Sequence, residues 1–207
     1  MPLVYQQNIN EVTKLAVWHI TEHEDFFLQK VMLPASITHP HKRLQHLAGR
    51  YLLPELFEHF PLKLIRIADT QKPFLPDEAF HFSISHCGDY VAAIVSKLNR
   101  VGVDIEVNAD KIERIKDKFL TQAEQDIISK TGLSHTRALT LAWCIKETMF
   151  KWYGKGSVDF KKHLRINNIT FVNNEYVAQC DLRKEDAVAL KIHSLTFNDN
   201  FLAWLVT

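Results

Sequence analysis

The chain has 207 residues, a formal net charge of +1 at pH 7 and a hydrophobic share of 46%. That length supports one domain or two small halves with a real core, and the near-zero charge excludes a bulk electrostatic pull toward nucleic acid or a membrane surface. With no apolar run of spanning length, no signal-peptide pattern at the N-terminus and only three widely spaced cysteines (Cys87, Cys144, Cys180), a cytoplasmic protein without membrane partner, disulfide framework or zinc pattern is expected.

Residues 14–20 read as a first strand, and 24–32 as a helix stopped by Pro34. A longer helix is expected over 40–60, where Leu44, Leu47, Ala48, Tyr51 and Leu52 recur at helical spacing and Pro54 kinks or ends its first part. A short strand over 63–68 leads into a turn-rich link at 71–77, and 80–85 with 90–96 read as a hairpin turning at Cys87, Gly88 and Asp89. The second half opens with a strand over 101–106, followed by helical periodicity over 110–120. Thr121 with Glu124 forms a capping box for the next helix, which Gly132 stops. A long helix over 135–153 ends at Gly154, and strands follow at about 167–172, 175–181, 188–196 and 200–206.

The two halves rhyme. Residues 194–207 align without a gap on 83–96, and Arg43 with Leu47 and Ala48 matches Arg137 with Leu141 and Ala142. The order strand, helices, hairpin thus occurs twice, which points to an α+β fold of two similar halves, 1–98 and 99–207, related by pseudo-twofold symmetry. Each half is expected to be an antiparallel sheet packed against helices, with the active site at the junction. Duplication removes the need for a partner subunit, so a monomer is expected.

In the 101–106 strand, Val101, Val103 and Ile105 face one side and Asp104 and Glu106 the other. The two carboxylates lie roughly 6–7 Å apart along the strand, which suits either a solvated strand edge or an oxygen-ligated cation such as Mg²⁺. The 135–153 helix is apolar on both sides, leaving Thr140, Glu147 and Lys151 as a narrow polar strip, with Lys146 about 100° away among apolar neighbours. Buried charges need partners; a cation shared with Asp104 and Glu106, together with a phosphate, would satisfy Glu147 and Lys151, while an exposed ion pair is the plainer alternative. Ser85 and His86 end a strand beside a glycine turn, Lys72 is held extended by Pro73, and Arg43 and Arg50 share one helix face; each also reads as an ordinary surface group. His19, His23, His39, His41 and His46 fit no metal spacing.

Taken together, Gly102-Val-Asp104-Ile-Glu106, the later Trp143-x-x-Lys146-Glu147-x-x-x-Lys151, Ser85-His86 and Gln71-Lys72-Pro73 resemble, in order, the motifs of the 4′-phosphopantetheinyl transferases, of the larger pseudo-dimeric, surfactin-synthetase-activating type. Gln71 stands where the family has glycine, and Cys144 where a serine is common. The resemblance implies an enzyme that moves the phosphopantetheine arm of coenzyme A to a serine of an apo acyl or peptidyl carrier protein, releasing adenosine 3′,5′-bisphosphate, in fatty acid, polyketide or nonribosomal peptide biosynthesis. It implies Asp104, Glu106 and Glu147 as Mg²⁺ ligands, and Glu147 or a water on the metal as acceptor of the serine proton. Lys151 would assist the departing phosphate. Lys72, Ser85 and His86, joined by Lys146, would hold coenzyme A phosphates, and Arg43 and Arg50 are candidates for its 3′-phosphate end. The carrier would need a partly apolar, partly basic surface, and residues 111–120 offer Ile112, Ile115 and Phe119 among Lys111, Arg114, Lys116 and Lys118, although those apolar residues equally fit core packing. The rival readings are a Mg²⁺-dependent phosphohydrolase of coenzyme A or a nucleotide, and a non-catalytic coenzyme A or carrier-binding protein.

Overall fold

The computed structural model describes residues 2–207. The chain divides into two compact units, Met1–Val101 and Gly102–Thr207. Both are mixed α+β, with antiparallel strand pairs packed against helices. No helix among the described residues is long and apolar enough to cross a membrane.

The first unit carries a four-stranded sheet in the order β1-β2-β6-β5, built from β1 (Leu3–Asn10), β2 (Thr13–His19), β5 (His81–Cys87) and β6 (Tyr90–Ser96). The helix α2 (Pro40–Leu56) lies on it and buries Leu47, Ala48, Leu52 and Leu53 against Val91, Ala93 and Val95. Pro54 falls in its last turn, so the helix closes two residues later, short of residue 60. Gly49 lets α2 approach β5: a Cβ there would lie 2.7 Å from Ile84. The strand β1 is absent from the sequence reading because it is an edge strand. Its alternation is only half-buried, and its exposed face, Val4 apart, is polar. The first helix, α1 (Glu24–Leu28), is also shorter than its periodicity predicts. Between the helix and the hairpin, β3 (Arg66–Ile67) and β4 (Pro73–Phe74) form a small ladder whose turn holds Gln71 at φ +65. Gln71 thus adopts the left-handed conformation in which a glycine is at ease.

The second unit carries a five-stranded sheet in the order β7-β11-β10-β9-β8. Its strands are β7 (Val101–Val107), β8 (Leu164–Val172), β9 (Glu175–Arg183), β10 (Ala187–Phe197) and β11 (Asn200–Val206). Residues 110–120 form a 3₁₀ stretch (Asp110–Ile115) and the short helix α3 (Lys116–Phe119) rather than one helix. The capping box of Thr121 and Glu124 opens α4 (Gln122–Ile128) as expected, and the long helix α5 (His135–Tyr153) ends at Gly154, φ +69. Leu141, Ala142, Ile145 and Met149 of α5 enter a core with Phe201 and Ala203 of β11.

The strand–helix–hairpin order recurs: β2, α2 and β5–β6 in the first unit, β7, α5 and β10–β11 in the second, with the hairpin's second strand in the middle of each three-strand set. The gapless alignment of the hairpins needs correcting, however. Cys87 pairs with Tyr90 around Gly88 and Asp89, whereas Phe197 pairs with Asn200 around Asn198 and Asp199, at φ +43 and +62. On the aligned numbering the second turn comes one residue early, so the match cannot hold along both strands at once.

Candidate functional site

The acidic face of β7 packs against α5 rather than facing water. Gly102 makes this possible: a Cβ there would lie 2.5 Å from the Thr148 carbonyl oxygen and 2.9 Å from both the backbone nitrogen and the Cβ of Trp152. Two residues on, on the same face, Asp104 is 2% exposed and its Oδ1 accepts from Lys151 Nζ at 2.5 Å. The Cys144 thiol donates to the Asp104 carbonyl at 3.5 Å. Burial, then the charges of Asp104 and Glu106, push that thiol well up, so it stays protonated. Glu106 accepts from the indole Nε1 of Trp143 at 3.0 Å. Because these blocking atoms are helix backbone, Gly102→Ala must pry β7 off α5. It should destabilise the protein by about 2 kcal/mol or more, measured by urea unfolding; an unchanged midpoint would refute the close-approach argument.

Glu147 completes the cluster from α5. Burial raises its carboxyl to about 7, with the Asp104 and Glu106 charges adding to the rise and Lys151 opposing it. Burial works to lower the Lys151 ammonium, but Asp104, by charge and hydrogen bond, and Glu147 hold it raised, so Lys151 stays charged. The structure therefore brings together Asp104, Glu106, Glu147 and Lys151. The donor set is all oxygen and net negative, and each further carboxylate raises the cost of ionising Glu147; a hard divalent cation would remove that cost. Among the described residues no three acidic, histidine or cysteine side chains are already closed around one point: Asp104 is turned to Lys151 and Glu106 to Trp143.

Lys146 departs from its expected place on a coenzyme A phosphate. Its side chain is 0% exposed and its Nζ donates to Glu124 Oε1 at 2.8 Å, to the Phe119 carbonyl at 2.6 Å and to the Phe160 carbonyl at 3.0 Å. An ammonium has three N–H donors, and all three are spent inside the protein. Burial lowers its affinity for the proton, while Glu124 opposes that fall. Glu124, read from the sequence only as a capping residue, is thus also the buried counter-charge that the position of Lys146 demanded.

In the first unit Arg43 is likewise committed: its Nε and Nη2 each reach a Glu24 carboxylate oxygen at 2.7 Å. That bidentate fork is the geometry a phosphate would need, which counts against Arg43 as the 3′-phosphate residue. Arg50 instead donates to His46 Nδ1 at 3.0 Å and lines a cavity of about 220 Å³ with Lys30, His46 and Lys63. Burial, then the charges of Arg50 and His86, push His46 down to about 4, leaving it neutral. His86 is exposed at the end of β5, and Ser85 is buried one residue before it. Lys72 is pushed down to about 8 by burial, with the positive charge of Arg100 adding to the fall. Arg100 escaped the sequence reading, while Trp143 entered it only as a motif position and His46 only as a histidine without metal spacing; the neighbours that give them meaning are distant in sequence.

The family profile described as the 4′-phosphopantetheinyl transferase superfamily matches residues 100–202, the stretch that supplies the whole carboxylate cluster. The chain belongs to the 4′-phosphopantetheinyl transferase superfamily. Enterobactin synthase component D of Escherichia coli O157:H7 is 35% identical to it over 113 residues, covering 53% of this chain and 54% of that protein. The 4′-phosphopantetheinyl transferase psf-1 of Bacillus pumilus is 34% identical over 112 residues, covering 52% and 47%. These matches span about half the length of the curated relatives.

Proposed function

We propose that this superfamily member transfers the 4′-phosphopantetheine arm of coenzyme A to a serine hydroxyl of an apo acyl or peptidyl carrier protein, in a Mg²⁺-dependent reaction in the cytoplasm. The observation that carries the reading is the buried cluster of Asp104, Glu106, Glu147 and Lys151 within the matched stretch. Asp104, Glu106 and Glu147 are the residues that would hold Mg²⁺, whose chemistry is to neutralise the pyrophosphate charge. The serine Oγ–P bond forms as the bridging P–O bond breaks, and adenosine 3′,5′-bisphosphate leaves with the bridging oxygen. Glu147 or a water on the metal would take the serine proton. Lys151, charged and with its ammonium at the cluster, can donate to the departing phosphate oxygen.

Within the first unit, taken by itself, some residues suit coenzyme A phosphates. Lys72 beside Arg100 suits a phosphate, with Ser85 and His86 at the hairpin end, and Arg50 is favoured over Arg43 for the 3′-phosphate because Glu24 occupies the Arg43 fork. The recurring strand–helix–hairpin order supports reading the two units as copies of one duplicated fold. For the carrier, the burial of Phe119 favours core packing for that residue, whereas Ile112, though mostly buried, still lines a groove beside Glu106. The half-buried Ile115 and the exposed Val107 and Lys111 line the same groove, of about 350 Å³, with Glu106, and the exposed Arg114 and Lys118 belong to the same stretch of chain. This mixed surface suits an acidic carrier.

Mass spectrometry of several apo carriers incubated with the protein, coenzyme A and Mg²⁺ tests the reading. A gain of one phosphopantetheine on the carrier serine is expected. Release of adenosine bisphosphate without any carrier would make the protein a hydrolase, and no change in carrier or coenzyme A would overturn catalysis.

A further inference from the structure

A fully buried Lys–Glu pair is costly to desolvate, and apolar residues often serve stability as well. The pair of Lys146 and Glu124, 0% and 1% exposed, is satisfied on every side. Besides Lys146, Glu124 accepts from Thr121 N at 2.8 Å, Thr121 Oγ1 at 2.9 Å and Ile166 N at 2.9 Å. The two carbonyls held by Lys146 belong to Phe119, the last residue of α3, and Phe160, in the turn before β8. Both rings bracket Trp143: Phe160 stacks on the indole at 5.4 Å and 21°, and Phe119 meets it edge-on at 5.1 Å and 73°. The indole so fixed donates its Nε1–H to Glu106.

From this chain of contacts we infer that Lys146 is a positioning residue: by clamping the Phe119 and Phe160 backbones it fixes Trp143, and Trp143 aims the Glu106 carboxylate. The inference rests on the proposed metal-binding role of Glu106, but its first half, from Lys146 to Trp143, stands on the contacts alone. Lys146 touches no reacting atom, and its place beside Glu147 in sequence reflects the helix face turned to the clamp.

The test uses protein labelled with 5-fluorotryptophan, whose four tryptophans (Trp18, Trp143, Trp152 and Trp204) give separate ¹⁹F signals, with Trp143→Phe identifying the relevant one. The paired variant Lys146→Met with Glu124→Gln removes both charges and leaves neither unpaired. In metal-free protein its Trp143 signal should shift and broaden while the other three hold. Its Mn²⁺ affinity should fall about tenfold, as expected for loss of a residue that orients a ligand. Adding Trp143→Phe should weaken Mn²⁺ no further. An unmoved Trp143 signal, or losses that multiply, overturns the inference. Should the paired variant fail to fold, Phe160→Leu removes the stacked ring without touching a charge, and an unmoved signal there overturns it equally. Wild-type protein that takes up no Mn²⁺ would instead sink the metal reading of the carboxylates, while the Trp143 signal still decides what Lys146 holds.

Discussion

Replacing Glu147 with glutamine should end holo-carrier formation, with turnover lowered by about 10³-fold or more. The substitution removes a proton acceptor, which alone supplies about 10²–10⁴-fold, and with it one of three carboxylates proposed for the metal. The same variant makes a second, independent prediction about stability. Glu147 titrates near 7 in the fold against an ordinary 4.5, because burial and then the Asp104 charge oppose its ionisation. Between those values the folded protein holds a proton that the unfolded chain releases. Stability contributed by the protonated carboxyl is therefore complete below about 4.5 and is lost as pH rises through about 7. With the group's partial exposure and coupling discounted, the loss is about 2 kcal/mol. Glu147→Gln, which cannot ionise, should flatten that slope when urea unfolding is followed from pH 4.5 to 8 in a chelator. An unchanged slope would show that Glu147 is not the group responsible. A Mg²⁺ ion held as proposed would compete with the same proton, so Mg²⁺ should stabilise more at pH 8 than at pH 5.

Periodicity made the β7 strand and the α5 helix legible, together with the Thr121–Glu124 cap and the Gly154 stop, because each is a local pattern that the interior confirms. The buried polar strip of Glu147 and Lys151 followed from the same logic: a helix apolar on both sides has no water to offer a charge. What sequence could not supply was which distant group answers each charge. Glu124 lies in the first turn of α4 and Lys146 in the middle of α5, and Arg43 reaches Glu24 across the α1–α2 connection. In both cases the partner diverts a residue from the ligand its motif suggested. The strand β1 was invisible for the opposite reason, since an edge strand with one polar face shows little apolar contrast. The hairpin alignment failed at the turns, where a one-residue shift leaves alternation along each strand intact.

Lys151→Met separates the lysine's structural role from its chemical one. In the native fold its ammonium sits 2.5 Å from a carboxylate that is only 2% exposed, while the lysine itself keeps a quarter of its side chain in solvent. Removing the lysine leaves Asp104 as a buried charge without that partner, and broken pairs of this kind cost about 3–5 kcal/mol. Metal-free Lys151→Met should therefore unfold at markedly lower urea, and adding Asp104→Asn should recover most of the loss, because the uncompensated charge goes with it. If the second substitution recovers nothing, the lysine's contribution is packing rather than charge. Mg²⁺ should also recover stability in the single variant but not in the double one, since a cation replaces the lysine only where the carboxylate survives. With carrier and coenzyme A present, turnover should fall about 10²–10³-fold while the KM for coenzyme A changes little. That pattern follows if Lys151 acts as charge builds on the departing phosphate rather than when coenzyme A binds. A raised KM with turnover preserved would reverse the assignment and make Lys151 a binding residue. On the proposed mechanism Lys151 would serve Asp104 until a cation took its place, and its ammonium would then be available to the departing phosphate.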